Sequence, residues 1–348
     1  MPPREQPAVS AARVPIVLAF DIEPDDRVGI PAPGSKVDWS GVPATFDFVD
    51  GWRGRLAEAT GHPAAFSWYV RMDPAITSLH GDPCWAAEAF GKRLDEMAAK
   101  GDAIGLHTHG LRWDTEQSTW VVDLGSEAWM RETIESSYAA YRDWQGVPCT
   151  LNRMGDWFLS DAMMEQLESL GVEIDLTLEP GQKPRPTNNP EAAHTGSLAD
   201  YRDVERMPYR PSRGDFRHAA NGAGDARRIW ELPVLSVDVR PITPLARRIG
   251  RFIKHPFRPP YRPWPLWAPI SGDRFWELIE NDPLRLDRPC IVFASRSDTA
   301  IRDGGVDSFA DKLEALIRRP LARSVRFVAP HEALRMLGLE TGAETQPD

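Results

Sequence analysis

Short apolar runs alternate along this chain with longer amphipathic ones. Three of the short runs end abruptly in polar side chains: Phe20-Asp21-Ile22-Glu23-Pro24-Asp25, Leu106-His107-Thr108-His109 and Asn152-Arg153-Met154-Gly155-Asp156. The short runs predict strands over 14–23, 64–72, 103–109, 150–156, 174–178, 229–237, 290–297 and 325–329, and the 3.6-residue spacing between them predicts helices over 52–59, 85–99, 127–144, 162–170, 274–279 and 308–317. Gly101, Gly146 and Gly171 each follow one of these helices, where a left-handed residue closes a helix. Strand and helix in alternation predict an α/β fold with a parallel sheet, and seven or eight repeats predict its closure into a (β/α)7-8 barrel. A parallel strand buried on both faces should be apolar throughout, so carboxylates and imidazoles at its carboxyl end predict a site at the barrel mouth.

Composition sharpens this reading. The chain has 348 residues, a length that one barrel with insertions can hold, so residues 14–339 are read as a single domain between a disordered lead-in (1–13) and a polar tail (340–348). Two stretches interrupt the βα period. Residues 180–228, rich in Pro, Asn, Gly and Arg, are too long for a plain connection and predict a functional loop over the mouth. Residues 240–269 interleave Arg247, Arg248, Arg251, Lys254, Arg258 and Arg262 with Phe252, Phe257, Tyr261, Trp264 and Trp267, and are read either as a surface excursion or as a peripheral contact with anionic lipid. A formal charge of −10 argues against nucleic acid as a partner. The 13 Trp and 32 Pro suit ordered loops and aromatic surfaces of the kind that bind carbohydrate. Cys84, Cys149 and Cys290 have neither metal-site nor disulfide spacing, no run reaches membrane-spanning length, and 14–20 lacks a cleavage site, so a cytoplasmic location is expected.

Asp21 and Glu23 are two residues apart, which puts both side chains on one strand face with Cα atoms roughly 6.6 Å apart. Such a pair allows one carboxylate to bind a divalent cation while the other takes a proton from activated water; the alternative is a charged pair at a strand end. His107 and His109 repeat the spacing, so both imidazoles can reach one ion, most simply Zn2+. Arg153 can fork onto a carboxylate, with Asp156 beside it as a substrate contact. Arg71 with Asp73, and Arg296 with Asp298, either line the pocket or tie barrel loops together. Asp175 is read as orienting a proton-transfer group or as structural, and Trp113 as a sugar platform or as packing. There is no nucleophile elbow, phosphate loop or dinucleotide fingerprint, which leaves metal-assisted attack by water.

With those residues in view, the chain resembles the polysaccharide deacetylases of carbohydrate esterase family 4, whose fold is a distorted seven-stranded (β/α) barrel. Phe20-Asp21-Ile22-Glu23 is similar to a spaced variant of the first family motif, which implies Asp21 as base and Glu23 as metal ligand. Ile104-Gly105-Leu106-His107-Thr108-His109 is similar to the second motif, and Arg153 matches the arginine that orients the base. The family's second metal-binding histidine falls four residues after the first, where this chain has Leu111, so the resemblance implies that His109 substitutes for it. The family's general-acid histidine ends the seventh strand; here Arg296 or Asp298 would stabilise charge or transfer the proton instead. His331 is read as a helix-start residue, and His62, His80, His194, His218 and His255 lie outside matching motifs.

The function expected on this basis is metal-dependent removal of an acyl group, acetyl in the first instance, from an N-acylated sugar or glycan. Two alternatives stand beside it: a non-catalytic glycan-binding or scaffold protein on a degenerate deacetylase barrel, and a hydrolase of another non-peptide C–N bond.

Overall fold

The structure is a computed structural model that describes residues 13–25, 31–186, 193–238, 263–265, 271–298 and 305–339. The basic aromatic stretch 240–269 therefore lies outside the described residues except for 263–265. The strands are β1 (Val14–Ile22), β2 (Ser67–Arg71), β3 (Ala103–Thr108), β4 (Leu111–Asp114), β5 (Thr119–Asp123), β6 (Leu151–Met154), β7 (Ile174–Asp175), β8 (Ala193–Thr195), β9 (Trp230–Glu231), β10 (Ser236–Asp238), β11 (Pro263–Pro265), β12 (Ile291–Arg296) and β13 (Val325–Phe327). The helices are α1 (Gly41–Thr60), α2 (Pro74–His80), α3 (Trp85–Ala89), α4 (Gly91–Ala99), α5 (Glu127–Gln145), α6 (Asp161–Ser169), α7 (Gly272–Asn281), α8 (Gly305–Ile317) and α9 (Pro330–Met336).

An eight-stranded parallel sheet in the order β12-β1-β2-β3-β6-β7-β9, with β13 paired to the start of β1, curls into an incomplete barrel. Residues after β9 span the remaining gap irregularly: Val234 N–H donates to Leu178 O at 2.8 Å and Leu235 N–H to Val292 O at 2.8 Å. The two faces of the curl have separate cores. Ile16, Leu18, Phe20, Ile22, Trp68, Val70 and Leu106 pack outward against the helices, while Val17, Ala19, Tyr69, Leu151, Ile174, Leu176 and Val292 fill the interior. Period-two alternation does the rest. The inner row that is apolar at Val17 and Ala19 becomes Asp21 and Glu23 at the carboxyl end of β1, and the inner rows of β2, β3, β6 and β12 likewise end in Arg71, His107, Arg153 and Arg296.

Several elements differ from the sequence-based expectation. Helix α1 starts at Gly41, well before residue 52, because Gly51 and Gly54 interrupt a spacing that Val42, Phe46, Val49, Trp52 and Leu56 nonetheless keep on one buried face. The stretch 85–99 is two helices, α3 and α4, broken at Phe90 (φ −110°, ψ 5°), whose ring packs among Trp39, Phe46 and Trp85. The unexpected antiparallel hairpin β4–β5 follows the His-x-His run directly, and β8 adds to it in parallel. The 180–228 stretch is mainly an outer cover: Tyr201, Val204, Tyr209 and Phe216 join the outward core, and Tyr209 bridges to Glu231 of β9. No helix among the described residues is long and apolar enough to cross a membrane.

Candidate metal centre

Asp21 and Glu23, buried at the end of β1, face His107 and His109, buried at the end of β3. The His107 Nε2 atom lies 3.1 Å from Glu23 Oε1 and 3.0 Å from His109 Nε2, and His109 Nε2 lies 3.6 Å from Glu23 Oε2. The opposite ring nitrogens both face acceptors. His107 Nδ1 is 2.8 Å from the Arg153 carbonyl and His109 Nδ1 is 3.1 Å from Asp156 Oδ2. A carbonyl or carboxylate oxygen only accepts, so each Nδ1 is placed to donate, which leaves each Nε2 facing inward as the atom a cation would take in place of a proton.

Two imidazole Nε2 atoms and a carboxylate thus converge on one point. Among the described residues these three form the one group with metal-ligating geometry, with donor atoms all within 4.8 Å of one another. Bonds of about 2.1 Å at angles of 90–110° separate ligand atoms by roughly 3.0–3.4 Å, which is close to the spacing found. The second requirement, that the far side of each ligating imidazole be hydrogen-bonded, is met for both rings. Formal charge points the same way: Asp21, Glu23, Asp73, Asp156 and Asp298 face Arg71, Arg153 and Arg296, an excess of two negative charges that a divalent cation would balance. The residues present fit such a cation, and the N2O donor set suits zinc-type ions better than magnesium or calcium.

The surrounding groups hold these side chains in place. Arg153 Nε donates to Asp21 Oδ1 at 2.9 Å and Oδ2 at 3.2 Å, and its Nη1 donates to Leu176 O at 2.7 Å. Glu23 is flanked from both neighbouring strands. Arg296 Nη2 lies 3.0 Å from Glu23 Oε2 and the same guanidinium donates twice to Asp298, and Arg71, doubly bonded to Asp73, brings Nη1 to 3.9 Å from the same Glu23 oxygen. Burial opposes ionisation of Glu23, but Arg296 together with the two histidines outweighs it and holds the carboxyl well below its usual range. For His109, burial and Arg71 oppose protonation, yet Glu23 and Asp156 prevail and raise its pKa above the ordinary imidazole value. The end of β1 is further pinned by Ser297, whose hydroxyl accepts from Glu23 N–H and donates to Glu23 O, both at 3.0 Å.

Not every predicted site residue is at this centre. Asp175 stands on the outer face of the sheet, where it accepts from Asn152 and from the Thr177 amide (2.9 Å) and hydroxyl (2.8 Å). Trp113, on β4, packs edge-on against Trp120 with ring centres 5.4 Å apart. Leu111, at the resembled family's histidine position, is buried in β4, and it is His109 that meets His107. Glu179 is not marked by the sequence, because one glutamate before a Pro-Gly turn carries no spacing signal. It is buried near Arg153, accepts from Trp157 Nε1 at 2.6 Å and Gln182 Nε2 at 2.7 Å, and burial holds its pKa above the usual range despite those bonds.

No protein-family model matches the chain. No curated protein matches it either. Solved structures do. A structure described as a glycoside hydrolase/deacetylase from Parabacteroides distasonis matches with a TM-score of 0.52 at 14% identity, over 93% of this chain and 71% of that one. Another, described as a polysaccharide deacetylase from Pseudomonas aeruginosa PAO1, matches with a TM-score of 0.50 at 10% identity, over 94% and 91% of the two chains. The fold is that of the polysaccharide deacetylases. A third structure described as a polysaccharide deacetylase, from Mycobacterium smegmatis, covers 98% of this chain and 97% of its own at 14% identity and a TM-score of 0.49. Within the deacetylase fold, the departures anticipated from sequence have definite positions: His109 beside His107, and Arg296 opposite Asp21 in the β1–β12 register.

Proposed function

We propose that this chain is a divalent-metal-dependent hydrolase that removes an acyl group, acetyl in the first instance, from the nitrogen of an amide-substituted sugar or glycan. The observation that carries the reading is the convergence of two inward Nε2 atoms and the Glu23 carboxylate beside a second carboxylate, Asp21, that has no bond to the imidazoles' inner nitrogens. Glu23, His107 and His109 would hold the cation, Zn2+ on the donor set. A bound divalent cation would polarise the amide carbonyl and lower the pKa of water from about 15.7 towards 7. Asp21 accepts the proton of the attacking water. Arg153, bonded to both Asp21 oxygens, fixes the plane of that carboxylate. Arg296 is permanently charged and tied to Asp298, so it serves charge balance at Glu23, and we assign return of the proton to the departing amine to Asp21 as well.

The deacetylase fold supports a sugar as the substrate. The arginine on β12 favours a second reading, a glycan-binding protein without turnover on the same barrel. An acetyl-release assay on N-acetylated chito-oligosaccharides separates the two, using protein stripped with chelator and reloaded with Zn2+. Hydrolysis should return with the metal, and Asp21→Asn should lower it by at least about 100-fold, the scale of general-base catalysis, with metal content unchanged. Equal turnover by Asp21→Asn would sink the assignment of the base, and metal uptake without turnover on any N-acetylated glycan would favour the binding reading.

A further inference from the structure

His107 and His109 are supported very differently. His107 is inside β3, paired in register with Arg153 of β6, and its Nδ1 bonds that residue's carbonyl. His109 lies beyond the last residue of β3, where no strand pairing fixes it, and its backbone amide reaches only Asp73 Oδ2 at 3.3 Å. A ligand at that position needs another support for its ring.

The turn after β6 supplies one. A Cβ built on Gly155 would fall 2.4 Å from Cγ, Cδ2 and Cε1 of His109, far inside any real contact, so the bare Cα of Gly155 lies against the face of the imidazole. Asp156 then takes the ring edge, accepting from Nδ1 at 3.1 Å. This arrangement is strained. Asp156 (φ 54°, ψ 16°) and Trp157 (φ 54°) are two successive non-glycine residues in left-handed backbone, the only consecutive pair of the kind among the described residues. Bonds on the far side of the turn hold it there: Trp157 Nε1 to Glu179, Tyr201 Oη to Trp157 O at 2.9 Å, and Phe158 N–H to Gly155 O at 3.2 Å. Such strain persists only where the surroundings over-determine the conformation, and here the turn brings both Gly155 and Asp156 against the ring of His109.

We propose that Gly155-Asp156-Trp157 is a seat that makes His109 a metal ligand. Asp156 is a positioning residue in it, setting the ring plane and keeping the hydrogen on Nδ1 so that Nε2 faces the cation. This rests on the metal-centre reading above and explains how a His-x-His spacing can serve when its second histidine has left the strand.

The test uses the full chain and Co2+ alone, read by titration calorimetry and by the d–d absorption of the bound ion, with the 15N shifts of His109 in metal-free protein as a second readout. Wild type should bind one Co2+, and Asp156→Ala should bind it 10–100-fold more weakly with an altered spectrum, the usual loss when the partner of a ligating imidazole is removed. Asp156→Asn, whose amide oxygen still accepts from Nδ1–H and which tolerates left-handed backbone, should restore most of the affinity. Asp156→Gly, which relieves the strain, should keep or raise the metal-free melting temperature yet bind as weakly as Asp156→Ala, an outcome that a purely structural role would not give. In metal-free protein the Nδ1–H tautomer should dominate in wild type and mix with Nε2–H in Asp156→Ala. Unchanged Co2+ affinity and spectrum in Asp156→Ala would overturn the seat while leaving the metal centre standing. A wild type that binds no Co2+ would overturn both.

Discussion

At the scale of single residues, the site is a set of charges that make sense only in pairs. Asp73 is fully buried, accepts twice from Arg71 at 2.8 and 2.9 Å, and also accepts the Ala75 amide at the start of α2 at 3.1 Å. Burial would raise its pKa, but Arg71 outweighs that and lowers it. Removing one member of such a pair strands the other, so Asp73→Ala should cost about 3–5 kcal/mol in chemical denaturation. A loss below about 1 kcal/mol, the scale of an exposed pair, would show that Arg71 finds another partner. The paired spacings of Asp21 with Glu23 and of His107 with His109 were legible in sequence because a period of two has one geometric meaning on a strand. The placement of Asp156 against His109 was not, because it depends on a left-handed turn that an Asp-Trp dipeptide does not announce. Asp175 shows the limit from the other side: near a strand end, one residue of register decides between the inner and outer face.

Among the elements, β7 and β9 carry a second buried polar cluster. Asp175 and Glu231 are register partners, both fully buried, and Glu231 Oε1 accepts only from Leu178 N–H at 3.1 Å. Burial, reinforced by Asp175, pushes the Glu231 pKa well above the usual carboxylate range. A raised folded-state pKa means that stability is fully present below the unfolded value near 4.5 and declines as pH rises from there through the folded value. Glu231→Gln imitates the protonated form, so its melting temperature should exceed that of wild type at pH 8, and the gain should vanish towards pH 4; a pH-independent difference would show that Glu231 is ionised in the fold. The eight sheet strands were legible because buried parallel strands are apolar and short. Helix α1 was obscured by glycines that face open space, and the β4–β5 hairpin by its length, since four or five half-buried residues give little periodicity.

For the molecule as a whole, the centre should couple to stability. The candidate ligands stand at the ends of β1 and β3, which are two strands apart in the sheet, and their supports on β2, β6 and β12, so a cation bound there would cross-link most of the curl. A ligand that binds only the folded state stabilises by about 2.7 kcal/mol at a hundred times its Kd. Zn2+ should therefore raise the melting temperature in a concentration-dependent way, and His107→Ala should abolish the shift; a shift that survives in that variant would place the ion elsewhere.

The strand order has a consequence in time. The chain's first strand, β1, lies between β2 on one side and β12 on the other, with β13 beside its first residues: Val14 pairs with Val325 and Asp21 with Arg296. Strand β2 follows β1 closely in sequence, but β12 and β13 come far later, and contacts at such separation are slow to form and leave an apolar edge exposed meanwhile. Until β12 emerges, Glu23 lacks Arg296 and the Ser297 hydroxyl that pins its backbone, so the last part of this centre to be fixed is the end of the strand made first.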